Sequence, residues 1–114
     1  MSIYGIGIDV VDIERFTESV QRTPTLIDRL FTDSESALSM GSIAARFAAK
    51  EALTKALNIK TINWREIEVA NEESGKPYFK FHGAIAGQLS NKKVHLTLSH
   101  DAGIASAMVI VEDI

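Results

Sequence analysis

Residues 3–11, Ile3-Tyr4-Gly5-Ile6-Gly7-Ile8-Asp9-Val10-Val11, decide how the rest of the chain is read. The run is rich in β-formers, and a period of two divides it into two faces. Tyr4, Ile6, Ile8 and Val10 make an apolar face, which the pattern assigns to the core. Ile3, Gly5, Gly7 and Asp9 make the other. That second face has no side chain at either glycine and then a carboxylate. A carboxylate near the end of an apolar strand is costly to desolvate unless it is paired or bound to a cation. Glycines in a strand admit a ligand or another backbone. The segment therefore allows two readings. In one, Asp9 belongs to a ligand site. In the other, the glycines permit close helix packing, and Asp9 serves as a cap or faces water.

Working outward, Asp12 is placed to cap a helix over residues 13–22. Thr23-Pro24 restarts a short helix to about Phe31, with proline at its first position. Thr32-Asp33-Ser34-Glu35 has the spacing of a capping box, predicting one or two helical turns that end near Gly41. Ser42 to Leu57 is the strongest helix, rich in alanine and other good helix formers. Strands are expected at 66–71 and 78–81 around a turn at Ser74-Gly75-Lys76-Pro77. A short helix is expected at 84–90. Two more strands, 94–99 and 104–112, join at Asp101-Ala102-Gly103. This order predicts one α+β domain over residues 1–114, with a small, mainly antiparallel sheet packed on the long helix.

Composition narrows the function. A chain of 114 residues suits one domain, and 46% apolar residues suffice for an ordinary core. The net charge of −3 gives no bulk attraction for nucleic acid. The absence of cysteine removes disulfides, thiolate catalysis and cysteine–zinc sites together. No basic leader precedes the first strand, and no apolar run approaches the roughly 20 residues that span a bilayer. The expectation is a cytoplasmic protein with neither nucleic-acid nor membrane partners.

The long helix carries Arg46, Phe47, Lys50, Glu51 and Lys55. Glu51 and Lys55 are i,i+4 neighbours in the favourable order. If this helix lies over the glycine face, Glu51 can meet Asp9. Two carboxylates attract a hard cation but fill only part of the octahedral shell of Mg²⁺, leaving positions for water and substrate phosphate. Arg46, Lys50 and Lys55 would then meet the remaining phosphate charge. The competing reading is a solvated helix face with surface ion pairs of little value. Ser99-His100-Asp101 does not make a hydrolase triad, because neighbours on a strand point to opposite faces. His82 and His95 have no metal-site spacing and are read as structural.

Three blocks together carry a resemblance. They are Gly5-Ile6-Gly7-Ile8-Asp9; Arg46-Phe47-Ala48-Ala49-Lys50-Glu51-Ala52 with Lys55-Ala56; and Gly75-Lys76-Pro77 with Leu98-Ser99-His100 downstream. In order and wording they resemble the 4′-phosphopantetheinyl transferase superfamily, over nearly the whole chain. The small size and the start Gly7-Ile8-Asp9-Val10-Val11-Asp12-Ile13-Glu14-Arg15 look like its short bacterial branch, the holo-acyl-carrier-protein synthases. The resemblance implies transfer of the phosphopantetheine arm of coenzyme A to a serine of apo acyl carrier protein, for fatty-acid biosynthesis. Adenosine 3′,5′-bisphosphate is the other product. By the same match, Asp9 and Glu51 bind Mg²⁺ (or Mn²⁺), Lys55 and Arg46 contact phosphate, and His100 lies near the nucleotide end of coenzyme A. Gly75, Lys76 and Pro77 line the same cleft. The expected base for the serine is a metal-bound water, or Glu51 acting through one. The protein needs no nucleophile of its own, since phosphoryl transfer relies on positioning and charge neutralisation.

An acidic carrier needs a basic face. Arg15 matches the docking arginine of the family, with Phe16 beside it as an apolar anchor. Arg22, two turns from Arg15, and Arg29 extend that face by spacing and charge, or else are ordinary surface arginines. The resemblance also implies a homotrimer with active sites between subunits. One departure stands out. Relatives carry a glycine loop after the long helix, whereas this chain reads Leu57-Asn58-Ile59-Lys60-Thr61. Asn58 can replace glycine in the left-handed region, and Lys60 can reach a phosphate. Two other readings remain at this stage: a module that binds coenzyme A or a carrier without transfer, and a small oligomer whose charged helix is merely solvated.

Overall fold

The structure, a computed structural model, describes all 114 residues. Strand β1 (Ile3–Asp12) leads through its capping residue into α1 (Ile13–Arg22), where Asp12 accepts from the Arg15 backbone N–H at 2.9 Å. Then follow α2 (Thr25–Leu30), the single turn α3 (Asp33–Ser36) and the long α4 (Met40–Leu57). A hairpin of β2 (Ile67–Asn71) and β3 (Pro77–Phe81), the short α5 (Gly83–Gln88), and the hairpin of β4 (Lys92–Asp101) and β5 (Ile104–Asp113) complete the chain. The strands form two antiparallel sheets, β1-β5-β4 and β2-β3. The larger sheet packs on α4, and the α+β reading holds.

The glycine face of β1 is the one that meets α4. A Cβ on Gly5 would lie 1.9 Å from the Ala56 carbonyl oxygen, and one on Gly7 would lie 1.9 Å from that of Ala52. On the helix side, Ala48, Ala52 and Ala56 repeat every four residues and are buried. Ala105, Ala107, Val109 and Val111 of β5 continue the inner face of the sheet. Small residues on both surfaces bring strand and helix backbones into direct contact.

This corrects the assignment of Tyr4, Ile6, Ile8 and Val10 to the core. Since the glycines must face the helix, period two turns the apolar set outward. Ile6 is 65% exposed and Ile8 60%. In register beside them on β5 stand Met108 and Ile110, so the outer face of this sheet is a contiguous apolar surface.

Other expectations shift at element ends. Gly41 does not close α3. Ser39 caps the next helix by accepting from the Ser42 N–H, which places Gly41 in the first turn of α4. Asn58 takes the left-handed conformation (φ 56°, ψ 46°) expected of it, and its N–H reaches back to the Lys55 carbonyl. The last strands are longer than predicted, so His100 lies within β4 itself.

Gly7→Ala tests the seam. The added methyl would meet backbone, which no rotamer change relieves, and we expect a loss of about 3 kcal/mol in urea unfolding at unchanged m value. A loss below about 0.5 kcal/mol would show that strand and helix are not in contact there.

Candidate active site

Helix α4 carries three functional stripes. Ala48, Ala52 and Ala56 face the glycines of β1. Arg46 and Lys50 form a second stripe, and Phe47, Glu51 and Lys55 a third. Each stripe follows from the i,i+4 geometry of the helix, and five residues amount to a net turn of about 140°. Arg46 and Glu51 therefore look out on different sides of the helix.

The Glu51 side opens into a cleft of about 330 Å³ lined by Asp9, Asp12, Arg15, Phe16, Ser19, Phe47 and Glu51. Asp9 arrives there because the glycine seam fixes β1 against α4, and it follows Gly7 on the same strand face. Lys55 spans the rim, donating to Asp9 Oδ1 at 3.0 Å and to the Ile8 carbonyl at 2.9 Å. Partial burial pushes the Glu51 carboxyl pKa up, the negative charge of Asp9 pushes it further, and Lys55 opposes both. Phe47 packs on Phe16 at 5.3 Å between ring centroids and on Trp64 at 6.2 Å, forming an aromatic wall. Two oxygen-donor carboxylates whose mutual repulsion is felt in a half-open cleft suit a hard dication. No three acidic, histidine or cysteine side chains converge closely enough to hold a metal ion, so Asp9 and Glu51 would supply only part of such a shell.

The Arg46 side is different. Arg46 is buried and donates to the carbonyls of Val69 (3.2 Å) and Ser42 (3.3 Å) and to Asn71 Oδ1 (2.6 Å). It lines a second cleft, about 230 Å³, with Ser39, Ser42, Leu98 and His100. His100 reaches it because it shares the inward face of β4 with Leu96 and Leu98, while Ser99 and Asp101 point away. The turn holding Gly75, Lys76 and Pro77 lines a third cleft with Tyr78, Lys93 and His95.

Thus the structure brings together Asp9, Glu51 and Lys55, and separately Arg46 and His100. It does not bring the two sets into one cleft of a single chain. Lys60 is exposed in the loop after α4.

Lys50 is no phosphate ligand. It is fully buried, and its ammonium binds Glu35 Oε1 (2.7 Å) and the carbonyls of Leu30 (2.6 Å) and Trp64 (3.3 Å). Burial pushes its pKa down and the Glu35 hydrogen bond pushes it back up. Glu35 completes a junction of α3, α4 and β2, because it also closes the capping box and accepts from the Val69 N–H at 2.9 Å.

On the outer surface, Arg15, Arg22 and Arg29 are exposed, and Arg15 opens onto the Asp9–Glu51 cleft. Phe16 corrects its expectation. It is 8% exposed and packed against Phe31 and Phe47, so it floors the cleft instead of presenting an anchor. His82 and His95 are held by Glu68 and Glu112, in keeping with structural roles. Asn71, whose side chain ties Arg46 to the turn, was missed. Its only sequence signal is an amide at the end of a strand, four residues before Gly75.

The sequence model of the 4′-phosphopantetheinyl transferase superfamily matches residues 5–106. The chain belongs to that superfamily. It is 48% identical to the holo-[acyl-carrier-protein] synthase of Clavibacter michiganensis subsp. michiganensis, over 96% of each chain. Among solved structures it resembles the acyl carrier protein synthase of Mycobacterium tuberculosis (34% identity, TM-score 0.83, covering 98% of this chain and 99% of that one). It also resembles the Helicobacter pylori holo-[acyl-carrier-protein] synthase solved in complex with coenzyme A (31% identity, TM-score 0.84, covering 94% of this chain and 99% of that one). The chain is accordingly a phosphopantetheinyl transferase of the holo-[acyl-carrier-protein] synthase branch.

The raised Glu51 pKa has a definite sign. The folded state holds this proton more tightly than the unfolded chain, so stability falls as pH rises from the ordinary value of 4.5 through the raised one. At pH 7 without divalent cations, Glu51→Gln should therefore melt a few degrees above the parent. The gap should close as the pH falls below the parent's ordinary carboxyl range. Equal melting temperatures at pH 7 would contradict this electrostatic account.

Proposed function

We propose that this enzyme moves the 4′-phosphopantetheine arm of coenzyme A onto a serine of apo acyl carrier protein, at sites shared between copies of the chain. The observation that carries the reading is the Asp9–Glu51 pair, placed in one cleft by the glycine seam with Arg15 at its mouth. An acidic carrier drawn to Arg15 would deliver its serine beside that pair, and Arg22 and Arg29 extend the attraction along the outer surface.

In the transfer, the serine Oγ attacks the phosphorus nearest the pantetheine arm. A new O–P bond forms, the bridging O–P bond breaks, and adenosine 3′,5′-bisphosphate leaves with the electron pair. The serine proton passes through water in the cleft to Glu51, a carboxylate that lines it. Asp9 and Glu51 would hold Mg²⁺, or Mn²⁺ with the same oxygen donors, which supplies neutralisation of diphosphate charge. Lys55, held at the rim by Asp9 and Ile8, adds a cation that can turn from Asp9 to phosphate. Lys60 lies in the next loop for the same purpose. Arg46, His100 and the Gly75-Lys76-Pro77 turn would take the nucleotide end from a neighbouring chain.

Assembly is the physical counterpart of the exposed strand face. Ile6, Ile8, Val10 and Met108 are too contiguous an apolar surface to suit a monomer. A homotrimer that covers them would bring the Arg46–His100 side of one chain toward the Asp9–Glu51 side of the next. The proposed setting is the cytoplasm and fatty-acid biosynthesis. No helix of the chain is long and apolar enough to cross a membrane.

The test is conversion of an apo acyl carrier protein to its holo form with coenzyme A and Mg²⁺, read as the phosphopantetheine mass increase. Asp9→Ala and Glu51→Gln should each lower kcat by about 100-fold or more while remaining folded. Full turnover in either variant, or no conversion by the parent with any bacterial carrier, would overturn the reading.

A further inference from the structure

The β2–β3 turn carrying Gly75, Lys76 and Pro77 is exposed over residues 71–76. Loops of this kind are usually the mobile part of a hairpin. One side chain ties this one down. Asn71, the last residue of β2, pairs across the hairpin with Pro77. Its Oδ1 accepts from Arg46 at 2.6 Å, and its Nδ2 donates to the Gly75 carbonyl at 2.9 Å. Arg46 is itself fixed on α4 by the Ser42 and Val69 carbonyls. The amide therefore links a buried guanidinium, through two hydrogen bonds, to the backbone of the turn. The turn also closes on itself, through the Gly75 N–H to the Glu72 carbonyl (2.8 Å) and the Glu72 N–H to the Lys76 carbonyl (2.9 Å), so the amide adds the link between the closed turn and α4.

We infer that Asn71 is a positioning residue for coenzyme A, holding the Lys76 turn in its binding geometry against Arg46. The inference rests on the proposed reading that this turn contacts coenzyme A. It gives Arg46 a second role beside the one proposed for it at the nucleotide end. Three of the five N–H donors of the guanidinium go to Val69, Ser42 and Asn71. The two remaining donors are left for the nucleotide end, and the amide transmits the position of the held guanidinium to the turn. The bond is charge-assisted on the Arg46 side, which makes it the stronger half of the link. The Gly75 half is an ordinary amide–carbonyl bond, and it is the half that connects Arg46 to the turn.

Because Asn71 acts through the turn, its loss should raise KM and spare kcat. Asn71→Ala should raise KM for coenzyme A about tenfold, the effect of losing roughly one good hydrogen-bonded link. Saturated kcat and KM for the carrier should stay within about twofold. Asn71→Ala also strips an acceptor from the buried Arg46, so its melting temperature should fall by a few degrees, whereas Asn71→Asp keeps that acceptor and should melt close to the parent. Asn71→Asp cannot donate to Gly75, so in KM it should match the alanine variant despite its stronger ion pair. Faster amide hydrogen exchange at Gly75 and Lys76 should accompany both changes, independent of turnover.

Lys76→Ala provides the control that separates the two claims. A raised KM for coenzyme A in Lys76→Ala with normal values in both Asn71 variants would overturn the inference and leave the turn's role intact. A normal KM in Lys76→Ala would remove the coenzyme A role of the turn, and the inference with it. A fall in kcat at unchanged KM in the Asn71 variants would also overturn it.

Discussion

The contact on which the rest of the structure depends is the approach of β1 to α4, backbone against backbone, at Gly5 and Gly7. No residue larger than glycine fits at either point, because an added Cβ would sit 1.9 Å from a helix carbonyl oxygen. The seam determines which face of the strand turns inward and therefore which turns out. It sets Asp9 beside Glu51. It also leaves Ile6, Ile8 and Val10 in solvent on the opposite face. One steric constraint thus yields both the acidic pair and the apolar surface.

The helix distributes the remaining chemistry. Its alanine stripe takes the seam. Its Phe47–Glu51–Lys55 stripe builds the acidic cleft, and its Arg46–Lys50 stripe builds the hairpin side. The highly basic wording of this helix conceals two very different cations. Lys50 is sealed in a junction with Glu35, where removal of either partner would strand a buried charge. Lys55 is exposed and shared between Asp9 and a backbone carbonyl, so it is free to exchange partners. Exposure separates a structural lysine from one that can serve phosphate.

Much of this was legible in the sequence. Asp12, the Thr32–Glu35 capping box and Asn58 announced element ends through local hydrogen bonding, which depends on few residues and therefore reads well. The meeting of Asp9 and Glu51 followed from placing the helix on the glycines. The orientation of the apolar face did not follow, because period two defines two faces without saying which one is covered. Alternation assigns the apolar face to the core only when the domain is closed on itself. Here the helix needs the glycines, and the apolar set faces outward. The roles of Lys50, Phe16 and Asn71 were illegible for a related reason. Each is set by residues at least 15 positions away, Glu35, Phe31 and Arg46 among them. The departure after Leu57 proved locally benign, since Asn58 supplies the left-handed turn that glycine would have given.

Within one chain the acidic cleft is separate from the clefts of Arg46–His100 and of Lys76, and subunit mixing tests whether a neighbouring chain completes it. Two inactive chains with different tags, one Glu51→Gln and one lacking the Lys76 and His100 side chains, would be co-expressed and the doubly tagged assemblies isolated. If each site takes its acidic pair from one chain and its basic residues from the next, every doubly tagged cyclic trimer rebuilds one site, about one third of the sites in the isolated assemblies. Carrier conversion should then return to that order. No recovery in mixed assemblies would place all of these residues in one chain's own site and contradict the account.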